Sequence, residues 1–236
     1  MKILIIIPAY NEEENILNTY NSIIDYNKKY KTNYDVVVIN DGSKDNTEEI
    51  LQKNKINHIK LIQNLGIGGA VQTGYKYAQN NGYDIAIQFD GDGQHDVNYI
   101  KNIVEPIANG NANMVIGSRF ITEDASEFKS TALRRVGINL ISFFIKLKTG
   151  KKIYDTTSGF RAADKKVIEQ FIKYYPFEYP EPISTVNVLM DNLKVDEVPV
   201  QMKPRVAGVS SISKLKSVYY MINVILSIIL VKGSRK

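Results

Sequence analysis

Phe89-Asp90-Gly91-Asp92-Gly93-Gln94-His95 is the stretch that decides how this sequence folds and what it can bind. It closes the apolar-alternating run Ile85–Phe89, which predicts a strand ending where the two aspartates begin. Two carboxylates two residues apart in a glycine-flanked turn suit a hard divalent cation, Mg²⁺ or Mn²⁺, that shares its coordination with a substrate phosphate. A solvated acidic turn is the alternative. A calcium loop is excluded, because its sixth and twelfth positions hold His95 and Lys101 instead of glycine and glutamate.

Composition limits the class of protein. The 236 residues, 44% of them apolar, predict one α/β domain with a sizeable core. The absence of cysteine excludes disulfides, thiolate nucleophiles and zinc–thiolate sites, and is compatible with a reducing compartment. The apolar start runs only from Ile3 to Ile7 before Pro8 and an acidic segment, which favours a buried first strand over a signal peptide. We therefore expect a cytoplasmic protein.

Strand and helix patterns alternate along the first half of the chain, with short glycine-rich connections. This order is typical of a mostly parallel sheet covered by helices, in which ligands bind at the carboxyl ends of the strands. The predicted strands are Ile3–Ile7, Val36–Ile39, His58–Ile62, Ile85–Phe89 and Met114–Gly117, and the predicted helices are Glu13–Lys29, Asn46–Gln52, Gly68–Gln79 and Val97–Ala108.

Two further polar turns lie at such strand ends. The loop Asn64–Ala70 resembles a dinucleotide-binding G-x-G-x-x-G loop, but Val71 stands at the third glycine position. It permits a close backbone approach to a phosphate or ribose, and it equally permits a plain tight turn. Asp41-Gly42-Ser43 suits a turn and helix start, and its role as a ligand depends on the other motifs lying beside it.

Taken together, the motifs resemble the family 2 glycosyltransferases, and within them the polyprenyl-phosphate (dolichyl-phosphate) mannose and glucose synthases. The resemblance runs from about residue 2 to residue 212. It rests on six motifs in the family's order: Pro8-Ala9-Tyr10-Asn11-Glu12, Asn40-Asp41-Gly42-Ser43, Asn64-x-Gly66-x-Gly68-Gly69-Ala70, Asp90-Gly91-Asp92-Gly93-Gln94-His95, Gly117-Ser118-Arg119 and Asp155-Thr156-Thr157-Ser158-Gly159-Phe160-Arg161. Asn40 departs from the second aspartate that many members carry, which bears on base preference.

The resemblance implies a single GT-A domain, Rossmann-like with a mostly parallel central sheet, and a role for each matching position. The nucleotide sugar would bind at Pro8, Tyr10, Glu12, Asp41, Asn64, Gly66, Gly69, Asp90 and Gly91. A divalent Mg or Mn ion would be held by Asp90, Asp92 and Gln94. The acceptor phosphate would meet Arg119, Arg134, Arg161 and Arg205, and catalysis would fall to Asp92, Arg119, Asp155, Arg161 and Glu181.

The implied reaction displaces a nucleoside diphosphate from an anomeric carbon, with inversion, and the metal neutralises the leaving phosphate. A polyprenyl phosphate is already anionic and needs no general base. A sugar hydroxyl does, and Glu181 is then the best candidate, with Asp155 behind it. An exposed turn residue is the alternative for Glu181, which lies between two prolines. A UDP-hexose is preferred as donor and GDP-mannose remains an alternative.

Basic residues flank two apolar segments, Val136–Leu147 and Ser217–Val231. The net charge of +5 is concentrated there, because residues 201–236 carry seven basic side chains and no acidic one. This pattern suits an anionic membrane surface better than nucleic acid, and no nucleic-acid partner is expected. At about 22 Å, a helix over Ser217–Val231 is shorter than a bilayer core. We therefore expect the chain to lie peripherally on the cytoplasmic face.

Several organisations remain open. We divide the chain into a catalytic domain, 1–212, and a basic, apolar helical tail, 213–236. The tail could instead pack on the domain or on a second subunit of a homo-oligomer, and a small membrane protein could anchor the chain. Two other functions also remain open: a glycosyltransferase that extends a cell-surface saccharide, and a non-catalytic metal- and nucleotide-binding protein at the membrane.

Overall fold

The computed structural model describes residues 1–121, 132–203 and 214–231, with side chains except at 132–134 and 214–218. Seven strands and eight α-helices make up this part of the chain. The strands are β1 (Ile3–Ala9), β2 (Asp35–Asn40), β3 (His58–Lys60), β4 (Ile85–Gln88), β5 (Met114–Ser118), β6 (Arg161–Asp164) and β7 (Val195–Pro199). The helices are α1 (Ile16–Tyr30), α2 (Thr47–Lys53), α3 (Gly66–Asn80), α4 (Ile100–Ala108), α5 (Ala132–Thr149), α6 (Lys165–Lys173), α7 (Pro180–Met190) and α8 (Lys214–Leu230).

The strands form one sheet in the order β3-β2-β1-β4-β6-β5-β7. Among the described strands, β6 alone is antiparallel to its neighbours, pairing with β4 and β5 in the opposite direction. The prediction of a mostly parallel sheet in one α/β domain is therefore confirmed. Because the parallel strands all end at one edge, the turns after β1, β2, β4 and β5 gather there.

The sheet lies between two apolar layers, and β1 is therefore buried on both faces. Leu4 and Ile6 point to a layer shared with α3, α5, α6, α7 and α8. Ile5 and Ile7 point to a second layer shared with α1, α2 and α4. A strand between two layers must be apolar throughout, which is why its alternation is lost and its five consecutive aliphatic residues read as a run.

The structure differs from the predicted elements in several places. The first helix begins at Ile16 and not at Glu13, because Glu12 to Asn15 form a turn in which the Glu12 carbonyl accepts the Ile16 N–H at 2.9 Å. The predicted helix over 97–108 is divided into a 3-10 turn, Val97–Tyr99, and α4. Strands β6 and β7 were not predicted, since each is short and mixes charged with small residues.

The C-terminal helix α8 packs on the domain and runs beside α5. Gly137 makes this possible, because a Cβ there would lie 2.2 Å from the Met221 sulfur. At the other end, the Lys148 ammonium donates to the Ile229 carbonyl at 2.9 Å, so the two helices run parallel. Val224 and Ile228 are fully buried. No helix within the described ranges is long and apolar enough to span a bilayer.

Candidate active site at the sheet edge

Asp90 lies two residues after the end of β4 and is held from two sides. Its Oδ1 lies 3.4 Å from the Gln88 amide nitrogen, and its Oδ2 lies 3.1 Å from His95 Nε2. The absence of a side chain at Gly159 makes room for this carboxylate, because a Cβ there would sit 2.6 Å from Oδ2 and 2.9 Å from Oδ1. One third of the Asp90 side chain, 34%, remains exposed. The carboxylate is therefore fixed in a cradle with one open side.

The second carboxylate of the turn is more enclosed. Asp92 is 7% exposed, and its Oδ1 accepts the Gln94 N–H at 3.1 Å. The turn itself is tied to α1, because the Thr19 hydroxyl donates to the Gly91 carbonyl at 3.1 Å. The Gln94 amide nitrogen lies 3.5 Å from the Lys203 carbonyl, which leaves its oxygen, Oε1, to act as a ligand.

These oxygens suit a divalent cation. Carboxylate and amide oxygens are the ligands that Mg²⁺ and Mn²⁺ prefer, and about a third of the Asp90 side chain is exposed. Within the described ranges no three His, Cys, Asp or Glu side chains gather into a metal cluster. A cation here would therefore need the oxygens of a bound diphosphate to complete its coordination, as is usual for Mg²⁺.

Asp41 joins the turn after β2 to the glycine loop. It is 3% exposed, and its Oδ1 accepts the Leu65 N–H at 2.7 Å at the start of α3. Burial raises the pKa of the Asp41 carboxyl, and the backbone N–H groups of Leu65 and Gly66 oppose the rise. Gly42 allows this approach, since a Cβ there would lie 2.9 Å from the Asn64 nitrogen. The structure thus brings the predicted nucleotide-binding turns together.

The first predicted motif lines the same edge after β1. Pro8 is buried and its carbonyl lies 3.1 Å from the position of a Gly91 Cβ, while Tyr10 is 42% exposed. Glu12 accepts from the Asn15 amide at 2.9 Å.

In the glycine loop, the Asn64 side-chain oxygen accepts the Gly66 N–H at 3.0 Å. Gly69 packs closely against Leu65, since a Cβ added at Gly69 would lie 2.5 Å from the Leu65 Cβ. Helix α3 begins at Gly66, two residues earlier than predicted.

Arg119 and Asp155 form a buried pair. The guanidinium donates from Nε to Asp155 Oδ2 at 2.7 Å and from Nη2 to Oδ1 at 2.8 Å. Behind them, Glu197 on β7 accepts the backbone N–H groups of Tyr154 and Asp155, each at 2.8 Å. Burial raises the pKa of the Glu197 carboxyl, against these two hydrogen bonds. The arrangement holds Arg119 in one orientation, and it engages both oxygens of Asp155.

Arg161 and Glu181 lie beneath Asp90. Arg161 is 1% exposed, donates from Nε to the Ser158 carbonyl at 2.7 Å, and from Nη1 to the Glu181 carbonyl at 2.8 Å. Its Nη2 is buried as well and has no hydrogen-bond partner within the described part of the chain. Burial raises the pKa of the Glu181 carboxyl, while the Arg161 charge lowers it and the Asp90 charge raises it. The alternative of an exposed turn residue is wrong for Glu181, which is part-buried in the first turn of α7.

Two of the arginines predicted to meet the acceptor phosphate are described less fully. Arg205 lies outside the described residues, and Arg134 is placed in α5 without a described side chain. Its neighbour Arg135 was missed: its guanidinium carbon lies 5.9 Å from the centre of the Phe120 ring, and that of Arg119 lies 5.2 Å from the same centre. The first turn of α5 therefore adjoins the buried pair. His95 and Gly159 were also missed as supports of Asp90, although both stand inside motifs that the sequence displays.

A mostly parallel sheet with one antiparallel strand, and carboxylates at its carboxyl edge, fit the GT-A fold. The chain belongs to glycosyl transferase family 2, whose sequence model matches residues 4–172. The suspected family and an enzymatic function are thus confirmed, and the non-catalytic alternative loses its support.

Relatives and a solved structure agree with this membership. The UDP-N-acetylglucosamine–dolichyl-phosphate N-acetylglucosaminyltransferase of Methanococcus voltae is 35% identical over 220 residues, 84% of each chain. The dolichol-phosphate mannosyltransferase of Pyrococcus furiosus is 30% identical over 90% of this chain and 59% of its own. A crystal structure of glucosyl-3-phosphoglycerate synthase from Mycobacterium tuberculosis with Mn²⁺, UDP and phosphoglyceric acid is similar in fold. Its TM-score is 0.65 and its identity 18%, over 99% of this chain and 80% of that one.

Proposed function

We propose that this chain is a metal-dependent, inverting glycosyltransferase that moves a sugar from a nucleoside diphosphate sugar to a polyprenyl phosphate. The reaction would take place at the cytoplasmic face of a membrane. The observation that carries the proposal is that the Arg119–Asp155 pair adjoins the first turn of α5, one of two neighbouring helices whose outer faces are apolar. A sugar site for a lipid acceptor needs both features within one molecule.

The apolar face of α5 and α8 is continuous from one helix to the other. On each helix the exposed apolar side chains recur at three- and four-residue intervals, next to the side that contacts the neighbouring helix. Their exposed fractions run from 43% to 73%. The face consists of Val136, Leu140, Phe143 and Leu147 on α5, and Tyr219, Ile222, Leu226, Ile229 and Leu230 on α8.

Both helices begin beside the candidate active site. On α5, Arg135 stacks near Phe120 and Arg119. On α8, the Tyr220 ring packs edge-on against Tyr179, 4.6 Å between centres, one residue before α7 begins. A lipid lying on the apolar face would therefore present its phosphate to the site from the amino ends of these helices.

Charge favours a membrane surface as the occupant of this face. Lys146, Lys148, Lys151 and Lys152 lie at the end of α5 and just after it, and anionic lipid headgroups attract such clusters by about 1 kcal/mol per basic residue. A homo-oligomer through the same face, or a small membrane-protein anchor, would instead appear as a change of mass or as a requirement for a partner.

The residues of this chain have distinct roles in the proposed reaction. Asp90, Asp92 and Gln94 would hold the divalent cation, which supplies charge neutralisation at the diphosphate. Asp41 and the glycine loop would bind the nucleoside. An oxygen of the acceptor phosphate attacks the anomeric carbon as the bond from that carbon to the diphosphate oxygen breaks, so the nucleoside diphosphate leaves and the anomeric configuration inverts. Arg119, oriented by Asp155, and Arg135 would align the acceptor phosphate.

The donor in this proposal is a UDP-hexose or UDP-N-acetylhexosamine, with GDP-mannose as the second choice. Support comes from the names of the relatives, one a UDP-N-acetylglucosamine enzyme and the other a mannosyltransferase. The Mn²⁺ in the structural relative supports the cation.

A transfer assay tests the proposal. Purified protein is incubated with Mg²⁺ or Mn²⁺, polyprenyl phosphate and a labelled sugar donor (UDP-N-acetylglucosamine, UDP-glucose or GDP-mannose), and label is counted in the organic phase. We expect transfer with a UDP sugar, loss of transfer with chelator, and a loss of at least about 100-fold in Asp92→Asn. Transfer that survives chelation or Asp92→Asn would contradict the metal role, and no transfer with any donor would contradict the acceptor.

One observation favours a second candidate, transfer to a saccharide hydroxyl. The raised pKa of Glu181, caused by burial, makes this carboxyl a better general base than an ordinary glutamate. Asp155 is less suited, because both its oxygens accept from Arg119. Glu181→Gln separates the candidates: transfer to a hydroxyl should be abolished, whereas transfer to a lipid phosphate needs no base and should persist.

A further inference from the structure

We propose that His95 is a positioning residue that holds the Asp90 carboxylate ready for the divalent cation. This inference deepens the proposed function and rests on its metal site. It concerns a side chain that the motif-based assignment left without a role, since only Asp90, Asp92 and Gln94 of that turn were assigned as ligands.

The His95 ring is fixed in place by packing. Its side chain is 2% exposed. The ring stacks on Phe160, with 5.0 Å between centres and 26° between planes, and meets Phe89 edge-on at 5.3 Å. The backbone is also held, because His95 forms an antiparallel bridge with Met202. A ring so confined has one direction in which to direct its Nε2 atom.

That direction leads to Asp90. His95 Nε2 lies 3.1 Å from Asp90 Oδ2, and neither ring nitrogen has a well-aligned hydrogen bond with another group of the described chain. At this distance the carboxylate oxygen repels a lone pair on Nε2 and attracts a hydrogen atom there. The tautomer with hydrogen on Nε2 is therefore the one that fits. Contacts of this kind are often misaligned in the absence of ligands and become shorter and straighter in the complex.

The consequence is a division of labour between the two oxygens of Asp90. Oδ2 is restrained by His95 on one side and by the backbone at Gly159 on the other. The exposed third of the side chain stays available to a cation. Groups that restrain a metal ligand in this way change metal affinity by about 10- to 100-fold when they are removed.

The test measures Mn²⁺ binding to the full chain with saturating UDP, by the electron paramagnetic resonance signal of free Mn²⁺, so that no transfer reaction is needed. His95→Phe keeps the aromatic packing and removes the N–H, and His95→Gln restores a donor near the Nε2 position. His58→Gln, at the other histidine, is the matched control. Unfolding temperature without metal is measured for each.

We expect His95→Phe to bind Mn²⁺ about 10- to 100-fold more weakly with an unchanged metal-free unfolding temperature, and His95→Gln to recover most of the affinity. Wild-type affinity in His95→Phe would overturn the inference. So would equal weakening in both His95 variants together with a lowered metal-free unfolding temperature, which would indicate a purely structural ring. A wild-type protein that binds no Mn²⁺ at all would instead overturn the metal site of the proposed function.

Discussion

Gly159→Ala should disable the metal site without replacing a ligand. The added Cβ would lie 2.6 Å from Asp90 Oδ2, whereas ordinary van der Waals contact begins at 3.4 Å, so the carboxylate must move by about 0.8 Å. The Gln88 amide nitrogen, 3.0 Å from the same point, blocks one direction of retreat. The backbone at Gly159 is not in the left-handed region, so alanine adds a clash and no backbone strain.

A displacement of this size at a reacting group costs about 100-fold in rate, or about 2.7 kcal/mol of transition-state stabilisation. Steady-state sugar transfer, titrated with Mn²⁺, measures this loss of rate. We expect a lower maximal rate and a higher Mn²⁺ concentration at half-maximal rate. Asp90→Ala provides the matched control. If Gly159→Ala acts through Asp90, the double variant should be no slower than Asp90→Ala alone. Additive losses, or a Gly159→Ala variant with wild-type rate and Mn²⁺ dependence, would refute the reasoning.

Three further predictions concern the Arg119–Asp155 pair, the apolar face of α5 and α8, and Glu181. Asp155→Asn removes the carboxylate that pairs with the buried Arg119 guanidinium, so the free energy of unfolding by denaturant should fall by about 3–5 kcal/mol. Asp25→Asn at the exposed Lys28 pair should change it by less than about 1 kcal/mol, and equal effects would contradict this. Ile222→Gln with Leu226→Gln should weaken binding to anionic vesicles in sedimentation by about tenfold or more, since each loses about 1 kcal/mol of apolar burial. Ile62→Gln, exposed elsewhere, should have no effect, and equal binding by all variants would remove the membrane face. Because its pKa is raised in the folded state, Glu181 contributes stability below its ordinary pKa of 4.5 that is lost as pH rises through the folded value. Glu181→Gln should therefore lose less stability than wild type between about pH 4 and about pH 7 in denaturation curves, and parallel pH profiles would contradict the raised pKa.

The sequence was sufficient for the first half of the fold because its signals are local. Strands β1, β2, β4 and β5 contain apolar or β-branched runs, and glycine turns follow β2 and β4, so the periodicity and the turn residues give the same prediction there. Strand β6 escaped prediction because Arg161 faces buried polar partners and its direction is set by pairing with β4 and β5. Such pairing is a tertiary property that no short window of sequence carries.

The site divides in the same way. The spacing of Asp90 and Asp92 is sufficient to predict them as metal ligands. The residues that support Asp90 act through tertiary contacts: His95 is positioned by stacking on Phe160, and Gly159 leaves room because it has no Cβ. Arg161 illustrates the reverse case. Its motif predicts a contact with phosphate, but in the folded chain its Nε donates to the Ser158 carbonyl and its Nη1 donates to the Glu181 carbonyl in the first turn of α7. Motifs thus indicated which residues matter, while packing determines which atoms are accessible.

The central claim is that the acceptor is a lipid phosphate, and a competition measures it most directly. Wild-type protein, Mn²⁺ and the preferred donor are incubated with equal concentrations of polyprenyl phosphate, the matching polyprenol and a short saccharide, and products are identified by mass spectrometry. We predict one product, a glycosyl polyprenyl phosphate with a phosphodiester linkage, and no glycosylated polyprenol or extended saccharide. A product formed on the saccharide alone would contradict the claim.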